Sequence, residues 1–269
     1  MKVYISADIE GITGICHWDD ATVGKWNYET CRQQMQEEVV AACEGAIAAG
    51  ATEILVKDAH DTGRNLSPHH LPPPVELIRG WSGHPYCMVQ DLDRSFDALI
   101  LVGYHSRAGS AANPLAHTYT TEVTQICINH QPIAEFHLVT WTAAYEGVPT
   151  IFVAGDGDLC AAVTAYDPQI ETVATLKGRG ESTRSIHTRL ATQQIRAGVE
   201  RALDKRQHLQ ITAQPLPDWF VLEVTYKHPP RAYRKSFYPS ASLVGEQTVR
   251  LETRDWFEVL RALEFIVLG

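Results

Sequence analysis

Apolar positions along this chain follow two rhythms. Residues 98–102 are a short, continuous apolar run, as expected of a parallel strand covered on both faces, and residues 150–154 read as another buried strand. Residues 3–9 and 53–57 read as two further strands. Between that pair, Met35, Val39, Cys43 and Ile47 recur at a spacing of four, which predicts a helix over 28–49. Asn27 stands where it can cap the start, and Gly50 where it ends the helix. Strand, helix and strand make a βαβ opening. Residues 125–128 and 133–138 flank Asn129-His130-Gln131-Pro132 and read as a hairpin with a four-residue turn. The last third changes character. It predicts a long helix over 182–205, alternating strand 220–226, strand 248–252 and a final helix over 255–267. A boundary near residue 185 therefore separates an alternating α/β part, 1–185, from a smaller α+β part, 186–269.

Composition narrows the function classes. The 269 residues are 45% hydrophobic and 20% charged, too apolar for a disordered chain. The longest apolar runs fall far short of the roughly 20 residues that a membrane-spanning helix needs. Lys and Arg number 23 against 32 Asp and Glu, a formal charge of -9, which argues against nucleic-acid binding. Six cysteines are scattered without a CxxC pair, so thiolate zinc sites are not expected. The N-terminus runs straight into a strand with no secretory pattern, and a cytoplasmic location is expected. Twelve histidines first suggest metal chemistry.

The chemistry-bearing residues gather at strand ends. In Ser6-Ala7-Asp8-Ile9-Glu10-Gly11, Asp8 and Glu10 are two apart and share a side of an extended chain. Adjacent carboxylates repel unless a proton or cation lies between them. The pair is either a solvated acidic strand end or a cation site. Asp58 and His60 repeat the spacing after the second strand, and His105 follows the run 98–102. Strand C-termini are where open α/β sheets place their sites. Oxygen and imidazole donors without thiolates suit zinc or manganese, and magnesium or calcium less well. Glu135 sits among apolar neighbours in the expected hairpin strand and needs a partner if buried. His117 follows a loop of small residues. It is either an ordinary surface histidine or an acid–base group over a metal. No HExxH, GxSxG, phosphate loop or complete dinucleotide fingerprint occurs.

Taken in order, Ser-x-Asp-x-Glu-Gly at 6–11, Asp-x-His at 58–60, Gly-Tyr-His-x-Arg-Ala at 103–108, Ala-His at 116–117, Glu135 and Val-Ala-Gly-Asp at 153–156 resemble the D-aminopeptidases of the dipeptide-operon type, peptidase family M55. The resemblance is close up to about residue 190 and weaker beyond. It implies a three-layer α/β/α domain with a smaller C-terminal α+β domain. It implies two zinc ions per subunit, manganese being the other candidate, held by Asp8, Glu10, His60, His105 and Glu135, with His117 catalytic. Asp58 is a candidate for orienting His60 or a neighbouring ligand. The implied reaction is release of N-terminal residues, D-residues above all, from short peptides by metal-activated water. The implied assembly is a ring-like homo-oligomer, such as a decameric double ring, enclosing the sites. Trp219, Phe220, Phe237, Tyr238 and Trp256 exceed what a small α+β unit needs, and some are expected at subunit contacts. Two other readings compete. One is a different metal-dependent amidase or phosphoesterase on the same residues. The other is a non-catalytic peptide-binding accessory of transport.

Overall fold

A computed structural model describes residues 1–209 and 211–269. Its larger sheet runs in the order β3-β2-β1-β4-β7-β8-β9. The strands are β1 Lys2–Ala7, β2 Glu53–Asp58, β3 Val75–Ile78, β4 Ala98–Tyr104, β7 Thr150–Asp156, β8 Glu171–Arg179 and β9 Ser182–Ser185. All neighbours pair in parallel except β9, which is antiparallel to β8. Val3, Ile5, Ala7, Ile100 and Val102 enter one core, with residues of helix α2 (Tyr28–Ala48) and helix α5 (Thr188–His208). Tyr4, Leu99, Leu101 and Val153 enter another, with helix α3 (Glu135–Tyr145) and helix α4 (Gly157–Tyr166). Alternation along each strand thus feeds two apolar layers, which is why the sequence shows unbroken apolar runs. The result is the expected three-layer α/β/α arrangement.

The second sheet is antiparallel, in the order β11-β12-β10-β5-β6. It takes β10 Phe220–Tyr226, β11 Ala241–Val244 and β12 Thr248–Thr253 from the last third, but β5 Val123–Ile128 and β6 Gln131–Pro132 from mid-chain. Helix α7, Trp256–Leu263, closes its core with Trp256, Val259 and Leu260. Phe220 and Trp256 are interior to this unit, whereas Trp219 and Phe237 are exposed.

Several elements differ from the sequence reading. The β5–β6 turn is the two residues Asn129 and His130, both with positive φ, the backbone a tight hairpin requires. The expected strand over 133–138 is instead the start of α3, so Glu135 lies at a helix N-terminus. Helix α3 is wedged between the two cores. Phe136, Val139 and Ala143 face one, and Leu138 and Trp141 the other. A helix apolar on nearly every side has no stripe, and its short run cannot be told from a strand. Residues 182–185 form β9, and α5 begins only at Thr188, where His187 accepts the Arg189 N–H at 3.2 Å. Strand β1 ends at Ala7, so Asp8 and Glu10 occupy the turn after it. Asn27 precedes α2 in a left-handed conformation, with its side-chain amide donating to Asp20 rather than capping the helix.

Candidate metal centre

The C-terminal ends of β1, β2 and β4 lie side by side, and the backbone there is drawn tight. The Gly11 N–H donates to the Gly103 carbonyl at 2.8 Å. Gly103 has φ +74, and a Cβ there would stand 2.1 Å from the Asp8 carbonyl oxygen. Only glycine fits both demands. This approach brings the turn bearing Asp8 and Glu10 against the strand end bearing His105.

Asp8, Glu10, His60, His105, His117 and Glu135 converge there, each buried or nearly so. His60 Nδ1 is 3.1 Å from Glu10 and 3.4 Å from Asp8. His105 Nε2 is 3.5 Å from Asp8 and 3.4 Å from Glu135. His117 Nε2 is 3.9 Å from Glu10 and 3.8 Å from Glu135. Two compact triads result, Asp8–Glu10–His105 and His105–His117–Glu135.

The outward nitrogen of each ring meets a backbone carbonyl: His60 Nε2 at Ala21 (2.7 Å), His105 Nδ1 at Ser106 (2.9 Å) and His117 Nδ1 at Leu115 (2.9 Å). A carbonyl only accepts, so those nitrogens carry the proton. In the neutral rings the inner nitrogens then present lone pairs to carboxylate oxygens. That arrangement is repulsive unless a cation lies between, and it is the way metal-ligating histidines are held.

Ion pairing alone satisfies the cluster poorly. Except at the His60–Glu10 contact, the cross-distances exceed those of N–H···O bonds. Glu10 Oε2 and His105 Nε2 are buried with no hydrogen-bond partner. Two donors on one tetrahedral zinc, each about 2.0–2.1 Å from it, stand roughly 3.3 Å apart, which is the spacing found. The donor set therefore fits divalent ions.

Electrostatics mark the same residues. Burial, reinforced by Glu10, pushes the Asp8 carboxyl well up. Burial also acts to raise Glu10 and Glu135, but the imidazoles, His60 and His105 foremost, hold both below the usual carboxylate range. Burial opposes the charge on His60 and His105, yet the facing carboxylates raise both. His117 differs. Burial and the charge of His105 lower it, so it stays a neutral base at the edge of the cluster. Its ring stacks on His105 at 4.3 Å with 7° between planes, and it meets the Trp18 ring edge-on at 5.2 Å.

Residues 1–265 match the family model of the D-aminopeptidases, peptidase family M55. The chain belongs to that family. A D-aminopeptidase of Bacillus subtilis (strain 168) is 31% identical over 269 residues, covering 98% of this chain and 95% of that one. The solved structure of the zinc-dependent D-aminopeptidase DppA from Bacillus subtilis, described as a self-compartmentalizing protease, superposes with a TM-score of 0.93. That match has 28% identity and covers 100% of this chain and 97% of that one. The family is one of metallo-aminopeptidases, which removes the reading as a non-catalytic accessory.

Around this cluster lie residues whose roles the motifs did not disclose. Asp156 accepts from the Ser106 N–H and Oγ–H, from Asn113 Nδ2 and, as the cap of α4, from the Leu159 N–H. It fixes the backbone beside His105. Asn113 also donates to the Glu10 carbonyl at 2.9 Å, tying the His117 loop to the first turn. Asp58 does not touch the His60 ring. It binds the Asn65 N–H and side chain and the Leu66 N–H, and Asn65 in turn holds the His60 carbonyl. Tyr119, in a left-handed conformation (φ +62), directs its N–H at Glu135 Oε1, 2.6 Å away. Beside the cluster opens a cavity of about 460 Å³, walled by Trp18, Ala59, Trp81, Met88 and Tyr119 among others. It is large enough for a short peptide end.

Proposed function

We propose that Asp8, Glu10, His60, His105 and Glu135 hold zinc in this protein, two ions per chain, and that His117 serves the hydrolysis of the first peptide bond of short peptides. The carrying observation is the pairing of three backbone-oriented imidazoles with three buried carboxylates at ligand-to-ligand spacing. When bound, zinc supplies a Lewis acid that polarises the scissile carbonyl and lowers the pKa of water towards about 7.

The residues do the rest. The Ala21, Ser106 and Leu115 carbonyls hold each ring in the tautomer that offers its inner nitrogen. Glu135 is kept anionic by His105, by the Tyr119 N–H and by the N-terminus of α3, where a helix favours negative charge. His117, neutral and part-exposed at the cavity edge, takes or returns a proton at Nε2, while Leu115 fixes Nδ1. Burial of the cluster strengthens each of these interactions relative to water.

Zinc is preferred to manganese because the relative DppA is zinc-dependent. D-residues are the preferred N-terminal residues because both named relatives are D-aminopeptidases. The metal-bearing unit is assigned to the part before residue 185 and the smaller unit to the part after it, except that residues 123–132 join the sheet of the smaller unit and α5 packs on the larger one. Assembly into a ring, in the manner of the self-compartmentalizing relative, has support in Trp26 and Phe237, which are 84% and 71% exposed. A cytoplasmic location has support in six free thiols, which a reducing compartment preserves; no helix among the described residues is long and apolar enough to cross a membrane. The test is a panel of D- and L-alanyl dipeptides with metal content measured beside release. Release of N-terminal D-alanine by zinc-loaded protein is expected, and no release from any member would contradict the reading.

A further inference from the structure

The cavity has an acidic character that the metal cluster does not account for. No Lys or Arg lines it among the described residues, yet Asp61 and Glu264 join the three carboxylates of the cluster in its wall. Asp61 is solvent-exposed. Glu264 is not. It is half-buried, and its carboxylate has no hydrogen bond or ion pair among the described residues. Burial pushes its carboxyl up, with His84 the one group opposing.

Glu264 is also held rigidly. It opens the single π-helical turn Glu264–Leu268 that follows α7. The Tyr226 hydroxyl donates to the Ile266 carbonyl at 2.6 Å, and Lys235 Nζ donates to the carbonyls of Phe265 and Gly269. Ile266 and Val267 are buried in the core of the second unit. Cys87 and Tyr119 lie close enough to feel both Glu135 and Glu264. Both line the same cavity as Glu135 and Glu264. A half-desolvated carboxylate without a partner, preorganised at one wall of a reaction cavity, is a cation site awaiting its cation. Peptide ends differ from peptide interiors in one group of that kind, the N-terminal ammonium.

We propose that Glu264 receives the α-ammonium of the peptide substrate and so restricts the enzyme to free N-termini. This inference rests on the aminopeptidase reading and deepens it. The N-terminal residue would lie along Cys87 and Tyr119, with its carbonyl towards the metals. The C-terminal turn of the smaller unit thereby selects substrates for a centre built by the larger one.

The test compares two ligands of matched shape, D-alaninol and its uncharged isostere 2-methylpropan-1-ol, by calorimetric titration of zinc-loaded protein. Wild type should prefer the ammonium by about 10- to 100-fold, the worth of a charge-assisted hydrogen bond. Glu264→Gln should reduce the preference to within about threefold, with zinc content and unfolding midpoint unchanged. Glu264→Asp, which shortens the reach but keeps the charge, should retain part of it and serves if the glutamine variant folds poorly. A wild-type preference that persists in Glu264→Gln, a loss that follows Asp61→Asn instead, or no preference in wild type overturns the proposal. Peptide hydrolysis by the same wild-type sample reports separately on the activity: selective binding without release would sink the aminopeptidase reading, and with it the substrate role of Glu264, and leave only its ammonium contact standing.

Discussion

His117 and His105 are stacked rings of unlike character. One is raised by the carboxylates it faces, the other lowered by burial and by its neighbour. His117→Ala should leave most of the zinc in place and slow release about 10²–10⁴-fold, the usual loss on removing an acid–base group. Metal analysis beside kcat on D-alanyl-D-alanine checks this, and a variant within threefold of wild type would contradict it. Asp156 makes a different kind of contribution. Removing its carboxylate orphans the buried Ser106 and Asn113 donors and uncaps α4. Asp156→Ala should lower the unfolding free energy by about 3 kcal/mol, read by denaturant titration, and should weaken zinc binding because the backbone beside His105 loosens. An unchanged unfolding midpoint would contradict that role.

At the scale of elements, α2 carries a buried acid behind the first turn. Glu38 Oε1 accepts from the Thr13 N–H and from Gln34, both at 2.9 Å, while Oε2 has no partner. Burial pushes this carboxyl from its ordinary 4.5 up to about 7. Between those values the folded chain keeps a proton that the unfolded chain has lost. Stability contributed at this site should therefore be fullest below about pH 4.5, fall as pH rises to about 7, and cost at most roughly 3 kcal/mol by then. Glu38→Gln preserves the bond to Thr13 and should flatten that decline. Chemical unfolding of both proteins across pH 5 to 8 measures it, and parallel curves would contradict the assignment.

The elements also show what a sequence discloses. Strands β4 and β7 were legible because both of their faces are covered. The gathering of Asp8, His60 and His105 was legible because parallel strands align their C-terminal ends. Helix α3 was not, because a helix between two cores loses its polar stripe, and Glu135 was read on the wrong element for that reason. Nor were Asp156, Asn113 and Glu264. Asp156 and Asn113 act through partners some forty to a hundred positions away, and Glu264 reaches the cavity wall only through the packing of the C-terminal segment; no local spacing encodes such placements.

For the whole molecule, two units share one cavity. The larger sheet supplies the cluster and the smaller unit supplies Glu264 and Leu268. A ring assembly would place that cavity on an internal channel and admit only short or unfolded chains. Light scattering at micromolar concentration should give a mass several times the 29.9 kDa of the chain, and a mass near one chain would contradict the ring. The metal-dependent use of Asp8, Glu10, His60, His105, His117 and Glu135 is the claim on which the rest depends. It is tested most directly by stripping the protein with a chelator and returning zinc stepwise while D-alanine release from D-alanyl-D-alanine is followed. Activity should vanish with the metal and return in proportion to zinc, saturating at two ions per chain. Activity that survives complete removal of metal would contradict the account.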